Sequence, residues 1–286
     1  MKCIKCARGP VAIALVLIVA GAANADPWAD HVVNYDPGAG VGVDWPTSVP
    51  FTNSLAALGS PTRMTSPHPV GTGGAVTPLN APFRADEIVS IGRGGVLEIR
   101  FDEPVTNHAA NPFGIDLLIF GNAFFAGTFF NPDFSFNPAG TAAGVAAEGG
   151  VIEVSADGVN YFDVSGAADG LYPTNGFADL TDPFATAAGA VPSNFTLPVN
   201  PAFDPVGKTY AEILAGYNGS GGGFGIDLAP TGLASISFVR ITTPAGAQFV
   251  PEIDGFADVA AVPEPAAGSA FLAAAVLIAW QTRKRS

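Results

Sequence analysis

Five oxygen-bearing side chains are the residues of this sequence best suited to bind a cation. They are Asp116, Asn122, Asp227, Glu252 and Asp254. They lie within or beside otherwise apolar segments, where an ionised carboxylate is costly unless it is hydrogen-bonded, paired or metal-bound. Calcium accepts about six to eight oxygen ligands in irregular geometry, so the five are candidate Ca²⁺ ligands. The alternative is that they accept hydrogen bonds from backbone amides in turns, because no linear D-x-[DN]-x-[DN]-G loop is present.

Other groups that could perform catalysis are sparse. The histidines His31, His68 and His108 lie in segments typical of loops, and none is paired with another at helical spacing. Both cysteines, Cys3 and Cys6, precede residue 26, and no G-x-S-x-G nucleophile motif occurs. We therefore predict a non-enzymatic protein. Polysaccharide hydrolysis is the second alternative, since two carboxylates that are distant in sequence can face each other in space.

One segment is unusually rich in phenylalanine. Its members are Phe124, Phe125, Phe129, Phe130, Phe134 and Phe136. Exposed aromatic rings would form a platform for sugar rings, which makes a carbohydrate-binding module for exopolysaccharide the first alternative function. The competing interpretation is a loop folded back over the core, and phenylalanine favours it because the side chain lacks a polar group for a wet site.

The elements that must position these residues are β-strands. Short β-branched or aromatic runs alternate with turn-forming clusters, which predicts an all-β fold with long loops at 122–150 and 166–198. In the segment 234–242, Ile236, Phe238 and Arg240 are expected to face opposite to the intervening side chains. The predicted strands are 95–101, 115–120, 151–155, 161–164, 234–242 and 256–260, with one helix at 208–214.

The first 25 residues have the pattern of a secretory signal peptide. Its positive charges are Lys2, Lys5 and Arg8. An apolar run at 11–20 follows, too short to span a bilayer comfortably, and Ala23 and Ala25 are the small residues that signal peptidase requires. We expect cleavage before Asp26, which would remove both cysteines.

The C-terminal residues 262–286 contain three features in order. Val262, Pro263, Glu264 and Pro265 come first, and Arg283, Lys284 and Arg285 come last. Between them, the apolar run 266–280 is a predicted transmembrane helix that would be marginal as a permanent anchor because it is short. The basic end favours retention on the cytoplasmic side, and an ordinary single-pass anchor is the alternative interpretation.

This ordered set resembles the PEP-CTERM sorting signal of Gram-negative bacteria. The resemblance implies recognition by an exosortase, a membrane-bound cysteine transpeptidase. It also implies an exported protein that is transiently anchored in the inner membrane and then delivered to the cell surface or the extracellular matrix.

The body also resembles a family of bacterial cell-surface proteins with a jelly-roll-like sandwich. The segments that carry the resemblance are 90–95 (SIGRGG), 114–124 (GIDLLIFGNAF), 151–158 (VIEVSADG), 221–228 (GGGFGIDL), 238–242 (FVRIT) and 252–256 (EIDGF). The sequence departs from that family after the Asp-Gly turn, where Tyr161 and Phe162 stand in place of Trp-Tyr. The resemblance implies a surface location and a sandwich fold, without a defined activity.

Charge separates the body from the two ends. Residues 26–261 carry six Lys or Arg and 24 Asp or Glu, a formal charge of −18. Such a surface repels nucleic acid and anionic lipid, and it suits solubility or divalent cations. The sequence thus predicts a single jelly-roll-like β-sandwich at 26–261. A signal helix at 1–25 and a sorting tail with a transmembrane helix at 262–286 would flank it.

Overall fold

The computed structural model describes residues 26–259, apart from 46, 68–72, 165, 167 and 169. The predicted signal peptide, with Ala23 and Ala25, and the predicted sorting tail at 262–286 lie outside the described residues. Within the described part of the chain, no helix is both long and apolar enough to cross a membrane.

Strands dominate the described residues. They are β1 His31–Asp36, β2 Val43–Asp44, β3 Val49–Pro50, β4 Met64–Thr65, β5 Gly74–Ala75, β6 Val89–Ser90, β7 Val96–Thr106, β8 Leu117–Gly121, β9 Phe124–Gly127, β10 Ala142–Ala146, β11 Val151–Ser155, β12 Phe162–Val164, β13 Phe224–Ile226, β14 Ser235–Thr242 and β15 Glu252–Asp258. The helices are α1 Tyr210–Tyr217 and the 3₁₀ turns Ser54–Ala57, Pro112–Gly114 and Ala229–Thr231. The all-β prediction is confirmed.

A five-stranded antiparallel sheet has the order β1-β7-β14-β11-β12. Strand β7 shows why this sheet forms. Its residues Leu97, Ile99 and Phe101 are buried, while the side chains between them are partly exposed. This alternation is the pattern of a strand with one face on the core and one face toward water. Strand β11 occupies the predicted residues 151–155, and β7 runs five residues beyond its predicted end.

Strand β14 corrects one predicted face. Its pairing with β7 shifts register between Ile236 and Phe238. Ile236 is therefore buried with Val239 and Ile241, whereas Phe238 and Arg240 lie on the partly exposed face. The prediction that Ile236 shares a face with Phe238 was wrong, because a register irregularity interrupts the two-residue period of a strand.

A four-stranded antiparallel sheet has the order β13-β8-β15-β6. Leu117 and Ile119 of β8 belong to the hydrophobic cluster shared with the five-stranded sheet. Leu118 and Phe120 point to the other face and pack in a separate cluster with Phe195. Both faces of β8 are thus covered, which explains why its sequence is almost wholly apolar.

The segments predicted as long loops build an outer layer. Phe195 contacts Phe120 edge to face, with ring centroids 5.2 Å apart. The hairpin β9–β10 lies within 122–150 and packs with α1 in another buried cluster. This hairpin is a structural element that the loop prediction missed.

Helix α1 begins and ends later than the predicted 208–214. Thr209 is its N-cap: the hydroxyl accepts from the Glu212 amide, and the Glu212 carboxylate accepts from the Thr209 amide in return. The helix ends at Tyr217, and its C-cap Asn218 has a left-handed conformation. Position 216 lies inside the helix and is a glycine, since a Cβ there would collide with the Phe203 ring. All described residues belong to one compact unit.

Candidate functional site

Three of the five predicted calcium ligands, Asp116, Asp227 and Asp254, each have their own hydrogen-bond donors. Asp116 is 1% exposed, and its carboxylate accepts hydrogen bonds from the amides of His108 and Leu228 at 3.1 and 2.9 Å and from the Asn111 side chain at 2.8 Å. Three donors therefore compensate for the burial of this charge without a metal.

Asp227 lies opposite Asp116 at the end of two paired strands. Leu117 of β8 pairs with Ile226 of β13 in antiparallel register, so the two aspartates flank that pair. Asp227 is exposed, and its carboxylate accepts from the backbone amide of Ala229 at 2.8 Å. The shared Gly-Ile-Asp-Leu pattern thus marks two neighbouring strand ends, where each acid holds a turn.

Asp254 has yet another environment. Both the amide and the hydroxyl of Thr62 donate to its carboxylate, at 2.9 and 2.7 Å. Burial, with added repulsion from Glu87, raises the pKa of Asp254 to about 7. Burial also raises the pKa of Glu87, which accepts from the Thr65 hydroxyl and the Ser66 amide. Neutral donors therefore satisfy both buried carboxyl groups, Asp254 and Glu87.

Asn122 and Glu252 are the two predicted ligands that the fold brings into contact. Asn122 forms a side-chain hydrogen bond to Glu252, which is 7% exposed. The Ser90 hydroxyl accepts from the Gly42 amide at 2.9 Å and donates to Glu252 Oε1 at 3.1 Å. Burial and then the charge of Glu148 raise the pKa of Glu252 to about 7.

Glu252, Glu148 and Asn122 line one open cleft of about 600 Å³. The rest of its wall is mainly apolar and comes from the segment 79–83 and the hairpin β9–β10. The cleft therefore combines one polar end with a wide apolar surface, as ligand sites commonly do.

Three partly exposed phenylalanines line this cleft. Phe83, Phe124 and Phe130 are 41%, 46% and 52% exposed. Phe83 contacts Phe51 with ring centroids 5.3 Å apart, and Phe130 contacts Phe184 at 5.4 Å. Two of the three rings are thus held by aromatic neighbours while part of their surface faces solvent.

The phenylalanine-rich segment divides between two roles. Phe125 and Phe129 are buried, and Phe136 packs against that buried cluster. Phe124, Phe130 and Phe134 are exposed, so neither the platform nor the folded-back loop describes the whole segment.

A comparison of the chain with models of known protein families, and with curated proteins, finds no match.

Sequence reasoning missed Phe83 and Glu148 as members of the site. Glu148 is the one charged residue of an alanine- and glycine-rich run, 142–150, and that isolation was the available signal. Phe83 lies between Pro82 and Arg84, and no pattern in the neighbouring sequence indicates that it lines a cleft.

Among the described residues, the remaining candidate groups do not assemble, and His68 lies outside the described residues. His31 contacts Asp102 at 2.9 Å on the exposed face of the five-stranded sheet, and the ring of His108 accepts from the Ala110 amide. No group of three or more His, Cys, Asp or Glu side chains arranged to hold a metal occurs within the described part of 26–259. Calcium binding stays a prediction.

Proposed function

We propose that this protein is an exported, non-enzymatic surface or matrix protein whose jelly-roll-like sandwich binds a saccharide of exopolysaccharide. One observation carries the binding proposal: three partly exposed phenylalanines line the same open cleft as Asn122, Glu148 and Glu252. Saccharides have apolar C–H faces and polar hydroxyl edges, and a cleft with both kinds of surface complements them.

The stacking rings are Phe83, Phe124 and Phe130. They expose 41–52% of their surface, and stacking a sugar ring on them buries apolar area at low cost in side-chain entropy. The polar end would then orient the ligand, because carboxylate and amide groups accept and donate hydrogen bonds in fixed directions.

Binding to a panel of immobilised neutral, amino and acidic oligosaccharides tests this proposal. Phe124→Ala and Phe130→Ala should each weaken binding by about tenfold, since each removes one stacking surface. Phe134→Ala is the matched control, because Phe134 is 85% exposed and does not line the cleft. Equal effects of all three substitutions, or no binding to any oligosaccharide, would contradict the proposal.

Export and sorting rest on the sequence of the two ends. Signal peptidase would cut before Asp26, and an exosortase-type transpeptidase would act near Val262. Mass spectrometry of the protein recovered from the cell surface and the medium tests both steps. An intact N-terminus would refute the signal peptide, and an intact tail on the surface-exposed protein would favour the permanent anchor.

A second candidate function, hydrolysis of a glycosidic bond, is favoured by the pair Glu148 and Glu252 in one cleft. The carboxyl group with the raised pKa, Glu252, would be the general acid, and Glu148 would activate water. The release of new reducing ends from bound oligosaccharides would support this candidate. Its absence would leave the cleft with binding alone.

A further inference from the structure

Hydrogen-bond donors are scarce in the described wall of the cleft. None of its residues is serine, threonine, tyrosine, tryptophan, histidine, lysine or arginine. Its two side-chain amides already donate: Asn80 to the Ala75 carbonyl at 2.8 Å, and Asn122 to Glu252. A saccharide whose substituents are mainly acceptors, such as a uronic acid or a sulfated sugar, therefore finds few partners in this wall.

The charge of the body disfavours acidic saccharides independently. Residues 26–261 carry six Lys or Arg against 24 Asp or Glu, a formal charge of −18. All six basic residues lie outside the described cleft wall. An acidic polysaccharide is therefore repelled by the body as a whole before it reaches the cleft. The saccharide that fits this protein is not anionic.

Asn122 has one unsatisfied acceptor at the polar end of the cleft. It follows Gly121, which pairs with Ile253 of β15, the neighbour of Glu252. The Oδ1 atom of Asn122 is buried and has no hydrogen-bond partner. Because a buried acceptor without a donor is costly, a ligand N–H that enters this end of the cleft gains by donating to it.

Apolar side chains adjoin this acceptor. Phe124 lies two residues after Asn122 and pairs with Ala146 across the hairpin β9–β10. Directly paired residues of antiparallel strands have Cβ atoms about 5 Å apart. Asn122, Phe124 and Ala146 all line the cleft. A ligand group that fits here combines one donor with a small apolar end.

We infer that the cleft binds its saccharide through an N-acetyl group, as in an N-acetylhexosamine unit. The inference rests on the proposed saccharide binding and names the class of saccharide. The acetamido N–H donates to Asn122 Oδ1, and the acetyl methyl group packs against Ala146 beside Phe124. The pyranose ring stacks on the partly exposed phenylalanines.

An acetamido nitrogen fits this place better than a hydroxyl or an ammonium group. It is a donor without an acceptor on the same atom, whereas a hydroxyl oxygen would also bury its own lone pairs against apolar side chains. An ammonium group carries a charge and three donors, but only one buried acceptor of the described wall lacks a partner. The acetyl methyl group adds apolar burial that neither alternative provides.

Isothermal titration calorimetry of the full chain tests the inference. The probes are the β-1,4-linked tetrasaccharides of N-acetylglucosamine, glucosamine and glucose, which differ in the substituent at carbon 2. We expect the N-acetylated probe to bind at least about tenfold more tightly than the other two, because it alone satisfies the buried acceptor and buries a methyl group.

Two substitutions test the two contacts separately. Asn122→Ala should reduce the preference for the N-acetylated probe over the glucose probe to within about twofold, since it removes the acceptor and leaves the stacking rings. Ala146→Ser should weaken the N-acetylated probe by about threefold and leave the glucose probe unchanged, because it places a hydroxyl where the methyl group packs. Asn34→Ala is the control, because Asn34 is an exposed residue of β1 that does not line the cleft.

Each outcome decides one proposal. Equal affinity for the N-acetylated and glucose probes overturns the inference and leaves saccharide binding in place. Tightest binding of the glucosamine probe overturns it as well, in favour of charge recognition. A preference that survives Asn122→Ala removes the assigned acceptor; if that variant does not fold, equal effects of Ala146→Ser on both probes overturn the inference instead. Failure of every saccharide to bind would remove the proposed function itself.

Discussion

Replacing Glu252 by glutamine tests how the buried carboxyl group affects folding. In the folded protein, burial and then repulsion by Glu148 raise its pKa from 4.5 to about 7. An acid with a raised pKa binds its proton more tightly in the folded state than in the unfolded state. The protein therefore loses stability as pH rises from about 4.5 through 7, and it has the full benefit of the protonated group below that window.

The size of the effect follows from the difference between the two pKa values. At about 1.4 kcal/mol per pKa unit, ionisation of Glu252 costs roughly 3 kcal/mol of unfolding free energy at pH 8. The side chain is 7% exposed, so solvent reduces this figure little. Glutamine keeps an oxygen that accepts from Ser90 and carries no charge. We therefore expect Glu252→Gln to stabilise the protein by about 1–3 kcal/mol at pH 8 and to change little at pH 4.5.

Urea denaturation of the wild type and the variant, at pH 4.5 and pH 8, measures these free energies. Asp163→Asn serves as the surface control, with a change within about 0.5 kcal/mol at either pH. A variant that is destabilised equally at both pH values would refute the reasoning, because the carboxyl group would then act through shape or hydrogen bonding. A gain at pH 8 that is no larger than the gain at pH 4.5 would refute it as well.

Three further substitutions or additions test other parts of the structure. Asp116→Ala should lower the unfolding free energy by at least about 3 kcal/mol, because three donors lose their acceptor, and thermal unfolding measures it. Gly42→Ala should cost about 1–3 kcal/mol and shift the pH dependence attributed to Glu252, because the new methyl group would collide with Glu252 Oε1 and would lie 2.9 Å from the Phe51 ring. If calcium binds through Asn122 and Glu252, EDTA will lower the melting temperature of the purified protein and added CaCl₂ will restore it; an unchanged melting temperature would exclude a stabilising calcium ion.

Sequence patterns predicted the strands in which burial alternates or is complete. Strand β11 has the predicted bounds 151–155, and β8 overlaps the predicted strand 115–120, whose continuous apolar run agrees with its complete burial. The start of β15 was missed because the sequence Glu252-Ile-Asp254 has the polarity of a loop. In the structure, all seven residues of β15 are buried, and donors from Ser90 and Thr62 compensate for the burial of Glu252 and Asp254. Those donors come from distant parts of the chain, so a local pattern could not reveal them.

The candidate cleft was harder to predict than the strands. The sequence analysis predicted Asn122 and Glu252 as metal ligands and Phe124 as part of an aromatic platform, and it treated these as two separate sites. Their meeting with Phe83 and Glu148 depends on the hairpin β9–β10 and on the segment 79–83, which lie side by side in the fold. Phe125 donates its amide to the carbonyl of Pro78, and this long-range bond has no signature in either segment.

The outer layer over β8 has a consequence for resistance to proteolysis. Residues 26–286 contain no cysteine, so no disulfide can lock the body against proteases. Within the segment predicted as a loop, 166–198, the Thr174 hydroxyl donates to the Gly121 carbonyl and the Asn175 amide donates to the Gly221 carbonyl. These hydrogen bonds attach the segment to the rest of the fold. Proteases need several residues of extended, detachable backbone. The packing of Phe195 and its neighbours keeps this backbone from detaching, so we expect it to limit cleavage without a covalent cross-link.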